Sequence, residues 1–194
     1  MTRRAEIERE TTEVTITGCL DLDGTGVSEV ETGLGFLDHL LTTLARHGRF
    51  DLKLAAGGDT EVDDHHTVED CAIVLGRALD QALGDRSGIA RFGRAYAPLD
   101  ESLSRAVIDL SGRPWAEIWI DFSRDTIGEL ATENIIHFLR SFAIEGRMAL
   151  HVDLIRGDND HHKAESAFKA LAMALRGAVS PDGAGVPSTK GTLT

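Results

Sequence analysis

HHTVEDCAIVLGRAL (65–79) recurs later in the chain as HHKAESAFKALAMAL (161–175). Both adjacent histidines coincide, and Glu69 of the first copy matches Glu165 of the second. Apolar residues follow each histidine pair at helical spacing, so each copy predicts an amphipathic helix that begins at its histidines. The chain therefore contains one kind of helix twice, with the same polar residues at its start.

A second pair of matching segments precedes these helices. HLLTTLARHGR (39–49) aligns with HFLRSFAIEGR (137–147), so that His39 matches His137. Both segments have helical apolar spacing and a glycine that predicts the end of the helix. Because both pairs recur in the same order, an internal repeat of about 90 residues is the simplest explanation.

Periodicity and turn residues predict the remaining elements. Six strands are expected, at residues 13–22, 26–31, 49–56, 103–110, 115–122 and 148–155. The helices are expected at residues 36–47, 65 to about 84, 132–145 and 161 to about 177. Each half then has the order β-β-α-β-α.

This order predicts an α+β fold with an internally duplicated half. We expect the helices to pack together between two small mixed sheets. The predicted halves are residues 1–90 and 91–180, and a tail follows at 181–194 within one compact domain. The tail has too few apolar residues to hold a helix or a central strand.

The composition limits the classes of protein to consider. The 194 residues include 20 basic and 32 acidic side chains, and the net charge of -12 argues against general nucleic-acid binding. The sequence has no apolar run of the roughly 20 residues that a membrane span needs, and its charged N-terminus does not resemble a secretory signal. Two cysteines are too few for a disulfide framework. We therefore expect a cytoplasmic protein.

The starts of the repeated helices are suited to metal binding. His65 and Glu69, at i and i+4, lie on one helical face, and His66 lies near it. Imidazole nitrogen and carboxylate oxygen together are ligands for Mn, Fe, Co or Zn. The duplicated motifs and the helical histidines before them predict eight metal ligands: His39, His65, His66, Glu69, His137, His161, His162 and Glu165.

Adjacent histidines diverge by about 100° around a helix, so both members of a pair are not expected to bind one ion. We therefore expect each pair to divide between two metals. The two crossed sets are His39, His66, Glu69 and His161, and His65, His137, His162 and Glu165. The ligands could also come from neighbouring subunits, and the sequence leaves both arrangements open. Asp64 and Asp160, beside the pairs, are candidates to orient a ligand histidine.

A few converging cations can hold an anionic group even in an acidic chain. The candidates are Arg91, Arg113, Lys169, Ser188, Thr189 and Lys190. His47 is a further candidate for substrate contact, because the repeat has Glu145 in its place. The sequence contains neither a phosphate-loop pattern nor a nucleophile elbow, so a nucleotide triphosphatase and nucleophilic catalysis are not expected.

A set of ordered motifs carries a family resemblance: DGTG, GLGFLDHLLTTLARHGRFDL, VDDHHTVED, SGRPW, DNDHHKAESAFKAL and GVPSTKG. In this order they resemble the imidazoleglycerol-phosphate dehydratase family, in its monofunctional form, over essentially the whole chain. The resemblance implies a hydro-lyase of histidine biosynthesis whose halves each have a ribosomal-S5-like fold. It also implies two Mn2+ per active site, active sites at subunit interfaces, and a homo-oligomer of 24 subunits built from trimers.

Carried over by position, the family's metal ligands fall on the same eight residues. Its substrate contacts imply a further set: Glu13, His39, His47, Arg91, Arg113, Lys169, Ser188, Thr189 and Lys190. The expected catalytic carboxylates are Glu13, Glu69 and Glu165, with Glu13 as the candidate acid/base. The partner implied is a small phosphorylated imidazole, with no role for nucleic acid or a membrane.

The reaction implied by the resemblance converts imidazoleglycerol phosphate to imidazole-acetol phosphate and water. The proton to be removed lies on a carbinol carbon without an adjacent carbonyl, so direct abstraction is unfavourable. We expect two metals to hold the substrate's imidazole as an imidazolate, which can expel the neighbouring hydroxyl. Two alternatives use the same ligands. A dinuclear metallohydrolase would release inorganic phosphate, and a metal-storage protein would not need the cationic residues.

Overall fold

The computed structural model describes residues 3–183, 185–189, 191 and 193. The elements of the first half are β1 (Arg4–Glu10), β2 (Val14–Asp21), β3 (Ser28–Glu31), α1 (Gly35–Gly48), β4 (Asp51–Gly58) and α2 (His65–Leu83). Those of the second half are β5 (Phe92–Leu99), β6 (Ser102–Asp109), β7 (Trp115–Trp119), β8 (Thr126–Ile127), β9 (Leu130–Ala131), α3 (Thr132–Glu145), β10 (Ala149–Arg156) and α4 (Asp160–Val179). The predicted α+β fold is confirmed.

The two larger sheets have the same topology. Their strand orders are β1-β2-β4-β3 and β5-β6-β10-β7. In each sheet the last pair is parallel and the other pairs are antiparallel. The short β8–β9 hairpin is present in the second half and precedes α3. The duplication seen in the sequence is therefore visible in the pairing of the strands.

The helices form a layer between the two sheets, and each packs on a helix of the other half. α1 lies against α4, and α2 lies against α3. Leu40, Leu75, Phe138 and Phe168 are among the fully buried side chains at this layer. Burial of this apolar area, worth roughly 25 cal/mol per Å2, holds the two halves together. The helix pairing brings a histidine from one half next to the His-His-x-x-Glu motif of the other half, and it therefore positions the candidate site.

Each half begins with a strand that the periodicity did not predict, before the predicted β-β-α-β-α order. β1 has the sequence RAEIERE and buries only Ala5 and Ile7. Most of its charged residues are exposed, as is common on edge strands, whereas Arg9 pairs with Asp70 of α2 at 2.8 Å. β5 contains small residues in place of β-branched ones. A Cβ on Gly93 would lie 1.9 Å from the carbonyl oxygen of Ala174 in α4, so this glycine allows the helix to approach the strand closely.

The segments outside these elements are short. The predicted division of the halves at residue 90 stays a prediction, and it falls between the end of α2 and the start of β5. In the described part of the tail there is no helix, and Pro181 forms an isolated bridge with Ile89. Within the described residues no helix has the combined length and apolarity of a membrane-spanning segment.

Candidate active site

One cluster of potential metal ligands lies between α1 and α4. His39 Nε2 is 3.0 Å from Glu165 Oε2, and His161 Nε2 is 3.2 Å from the same oxygen. His161 and Glu165 are one helical turn apart, so both side chains point to the same neighbour. One ligand atom from each of the three residues lies within 4.8 Å of the others. The site thus combines two imidazoles and one carboxylate.

A second cluster lies in the equivalent place between α2 and α3. His137 Nε2 is 2.9 Å from Glu69 Oε1, and the rings of His65 and His137 are stacked with their centroids 4.8 Å apart. The ligand atoms of these three residues also lie within 4.8 Å of one another. The duplicated sequence therefore produces two similar clusters in one chain.

The crossed ligand sets expected from the sequence are wrong within the chain. Glu69 does not join His39 and His161; it contacts His137 and lies with His65. The reason is helical geometry, because i and i+4 share a face more closely than i+1 and i+4 do. Each glutamate consequently stays with the first histidine of its own motif. The observed sets are His39, His161 and Glu165, and His65, Glu69 and His137.

The second histidine of each pair points away from these clusters. His66 Nδ1 is 3.1 Å from an oxygen of Asp59 and 3.8 Å from Glu13, and the hydrogen bond with Asp59 raises the pKa of His66. His162 Nδ1 is 2.8 Å from Glu101, and this hydrogen bond holds the pKa of Glu101 well below its usual range. Of the predicted metal ligands, His66 and His162 are therefore not brought to a cluster by the fold of one chain.

A buried asparagine positions the second cluster. Asn134, 4% exposed, has Oδ1 at 3.0 Å from His65 Nδ1, while its Nδ2 donates to Asp64 at 2.9 Å. Asp64 also accepts a hydrogen bond from the backbone of Ala131. Asp64, a candidate to orient a histidine, thus contacts His65 through Asn134. Asn134 was not predicted as a site residue, although a polar residue one turn before His137 in a predicted helix is a signal for such a role.

Lys169 lies directly beside the first cluster. Its Nζ is 2.8 Å from Glu165 Oε1. Burial of the Glu165 carboxyl opposes its ionisation, but hydrogen bonds from Lys169 and His39 lower its pKa to about 2. His47, exposed on α1, has a pKa lowered by partial burial and by the charges of Lys169 and Arg46. Two of the predicted substrate contacts, Lys169 and His47, are therefore near this cluster.

The other predicted cations lie elsewhere on the chain. Arg91 pairs with Asp109, with Nε 2.7 Å from Oδ1, and its Nη1 donates to the carbonyl of Pro187 at 2.9 Å. This contact places Arg91 next to the tail that carries Ser188. Arg113 is exposed. Among the described residues, no hydrogen bond or ion pair links Arg91 or Arg113 to either cluster.

The predicted tail contacts are only partly described. Ser188 is half-buried and Thr189 is exposed, whereas Lys190 lies outside the described residues. Glu13, the expected acid/base, is an exposed side chain beside His66.

The family model for imidazoleglycerol-phosphate dehydratase matches residues 32–175, which include both clusters. The chain belongs to the imidazoleglycerol-phosphate dehydratase family. This is an enzyme family of hydro-lyases in histidine biosynthesis, and the predicted membership is confirmed.

Individual members of the imidazoleglycerol-phosphate dehydratase family resemble the chain over nearly its whole length. A relative from Candida glabrata is 53% identical and covers 97% of this chain and 99% of its own. A relative from Phytophthora nicotianae is 60% identical over 98% of this chain, which spans only 42% of that longer protein. The crystal structure of the dehydratase from Staphylococcus aureus subsp. aureus N315 superimposes with a TM-score of 0.81 at 37% identity, covering 91% of this chain and 99% of that one.

Proposed function

We propose that this protein dehydrates imidazoleglycerol phosphate to imidazole-acetol phosphate, with two Mn2+ ions in each active site. The observation that carries the proposal is the pair of His/Glu clusters within a chain that belongs to the dehydratase family over nearly its whole length. We further propose that the protein works in the cytoplasm.

The donor chemistry of the clusters fits a divalent transition metal. Each cluster offers two imidazole nitrogens and one carboxylate oxygen close enough to share an ion. Neutral imidazole and carboxylate suit Mn, Fe, Co and Zn. Closed structural zinc sites commonly include cysteine, but Cys71 is buried in the core and the clusters contain no sulfur ligand. Three protein ligands leave coordination positions for further groups.

We propose that a neighbouring subunit completes each metal site. Each cluster holds three potential ligands, while His66 and His162 are turned toward Asp59 and Glu101. Because His66 and His162 do not join a cluster of their own chain, each is available to bind a metal ion in a cluster of a neighbouring chain. This proposal favours the second of the two arrangements that the sequence left open, and it agrees with an oligomer of 24 subunits built from trimers.

The reaction removes a hydroxyl from one carbon of the substrate and a proton from the neighbouring carbinol carbon. Divalent ions held by the clusters would supply Lewis acidity that stabilises the substrate's imidazole without its N–H proton, so that the ring can expel the hydroxyl. Glu13 takes the carbon-bound proton, which leaves an enol that becomes the ketone. The hydroxyl leaves as hydroxide and takes up the proton that the ring N–H has released, and the proton on Glu13 then restores the ring N–H, so the substrate equals the ketone plus water.

The cationic residues would hold the substrate's phosphate and thereby position its carbons. Lys169 lies at the first cluster, and Arg91 lies beside the tail through its bond to Pro187. We assign Arg113, Ser188, Thr189 and Lys190 to the same phosphate. Fixing one end of the substrate lowers the entropic cost of aligning the other end with the catalytic groups.

A direct assay tests the proposed function. Protein loaded with Mn2+ is incubated with imidazoleglycerol phosphate, and ketone and inorganic phosphate are measured separately. We expect ketone to form with the phosphate retained, and Lys190→Ala to reduce turnover strongly. No ketone with Mn2+ bound would refute the lyase, while release of inorganic phosphate would favour a metallohydrolase. An unaffected Lys190→Ala variant would contradict the assignment of the tail.

A further inference from the structure

A cavity of about 570 Å3 opens at the C-terminal ends of α1 and α4. Its lining includes Arg46, His47 and Arg49 from the end of α1, and Met173 and Arg176 from α4. We call Arg46, His47, Arg49 and Arg176 the basic cluster. It lies on the same α1–α4 contact as the first metal cluster, about two helical turns further along α1 and about three turns further along α4.

Among the described residues, the arginines of the basic cluster have no carboxylate within ion-pair distance. In the part of the chain that the structure describes, no carboxylate forms an ion pair with Arg46, Arg49 or Arg176, and their side chains form no hydrogen bond. This is unusual in a chain with 32 acidic and only 20 basic residues. Like charges held together raise the electrostatic energy unless an anion neutralises them.

The internal repeat provides a comparison within the same molecule. At the matching position, where α2 meets α3, the charges are paired. Arg77 Nε is 2.7 Å from Glu145 Oε2, and Arg147 Nη1 is 4.0 Å from Asp80 Oδ2. Two cations therefore face two carboxylates at this second contact.

The two carboxylates of that contact are replaced by basic residues in the basic cluster. By the repeat alignment, His47 stands in the place of Glu145, and Arg176 stands in the place of Asp80. Arg49 matches Arg147, and both have a left-handed backbone with φ of 58° and 49°. The same backbone framework thus carries paired charges at the α2–α3 contact and only basic residues at the α1–α4 contact.

Helix dipoles alone do not account for this difference. Cations are favourable near the C-terminus of a helix, where the partial charge is negative, and α1 and α4 both end beside the cavity. However, α2 and α3 have no basic residue in their last turn, and α3 ends at Glu145. The fold is therefore formed at one contact with no basic residue in the last turn of either helix.

We propose that the arginines of the basic cluster bind a phosphorylated small molecule at a site that borders the predicted substrate contact His47 but uses none of the cations assigned to the substrate's phosphate. Guanidinium groups recognise phosphate oxygens through paired, charge-assisted hydrogen bonds. A cavity of about 570 Å3 is within the size range of small-molecule sites. Met173, partly buried against the core, adds an apolar wall for the organic part of the ligand. This site does not depend on whether the dehydration proposal holds.

Equilibrium dialysis of the full chain against labelled glycerol 3-phosphate tests this site. The variant Arg176→Asp copies the residue found at the paired contact and allows an ion pair with Arg49. We expect it to bind the probe about ten- to a hundredfold more weakly at this site, as the loss of charged hydrogen bonds predicts. Arg94→Asp, on the exposed part of β5, is the control with the same change of net charge. Lys190→Ala changes only the site assigned to the substrate's phosphate, so it should leave binding of the probe at the basic cluster intact.

Three outcomes would overturn the proposal. They are no saturable binding to the wild type, equal binding by Arg176→Asp and Arg94→Asp, and loss of all binding in Lys190→Ala. An Arg176→Asp variant with normal binding but altered sedimentation would show that the cavity instead holds acidic residues of another subunit. If Arg176→Asp fails to fold, Arg49→Gln serves as the second variant, with the same expected direction.

Discussion

At the scale of single residues, Lys169 makes the two His/Glu clusters unequal. Its ammonium group contacts Glu165 at 2.8 Å, whereas the repeat has Ile73 at the matching place beside Glu69. The Glu165 side chain is 14% exposed and that of Glu69 is 38% exposed. Glu165 is therefore the better buried carboxylate, and it is the one with a fixed cation to keep it ionised.

We expect Lys169→Met to raise the pKa of Glu165 in the metal-free protein. The pKa of about 2 lies below the usual 4.5, so ionised Glu165 stabilises the fold above pH 4.5 and this contribution is lost as the pH falls toward 2. Without Lys169 the loss should begin at a higher pH. Urea unfolding between pH 2 and 7, together with NMR titration of the Glu165 carboxyl, measures both effects.

The matched control for this variant is Lys53→Met, which removes a lysine from an exposed pair with Glu29. Exposed pairs contribute little to stability, so its acid unfolding should follow the wild type. Identical titration of Glu165 in Lys169→Met and in the wild type would contradict the prediction.

At the scale of elements, the helices were more predictable than the strands. α1 and α3 begin and end within one residue or so of their predicted bounds, because their apolar residues recur with the helical period. β1 and β5 were not predicted, because the positions that face the core hold few apolar residues and most of these are small. In β5 the small residues are needed for contact with α4.

Gly93→Ala should therefore destabilise the protein. The new Cβ would stand 1.9 Å from the carbonyl oxygen of Ala174, so β5 and α4 must separate. Overpacking of this kind costs about 1–3 kcal/mol of unfolding free energy, to be measured by urea denaturation. Gly57→Ala in β4 is the control, since nothing lies within 4 Å of its added Cβ. Equal stability of the two variants would show that the β5–α4 contact can relax.

At the scale of the whole molecule, the proposed sharing of ligands links metal binding to assembly. Each cluster has three ligands from two different halves of one chain, and His66 and His162 remain outside them. If these two histidines bind metal ions of neighbouring chains, the metal ions complete the active sites and also hold the subunits together.

Exhaustive chelation should consequently shrink the particle. We expect the sedimentation coefficient to fall after metal removal and to recover when Mn2+ is added back, since ligand binding to the assembled state stabilises it. His66→Ala should produce the smaller particle even with Mn2+ present, whereas His151→Ala, on exposed β10 surface, should sediment like the wild type. Unchanged sedimentation after chelation would remove the idea of shared ligands.

The sequence alone determined the four helices and the family, and it predicted the duplication and the candidate metal ligands, because repeated motifs and helical periodicity are local properties of the chain. Only the tertiary structure decided which ligands meet. The pairing of α1 with α4 and of α2 with α3 set Glu165 beside His39 and Glu69 beside His137, against the crossed expectation. It also placed Asn134 behind His65 and, within the described part of the chain, left Arg49 and Arg176 without a carboxylate partner. Such contacts join residues far apart in the chain, and their distances depend on how the helices pack.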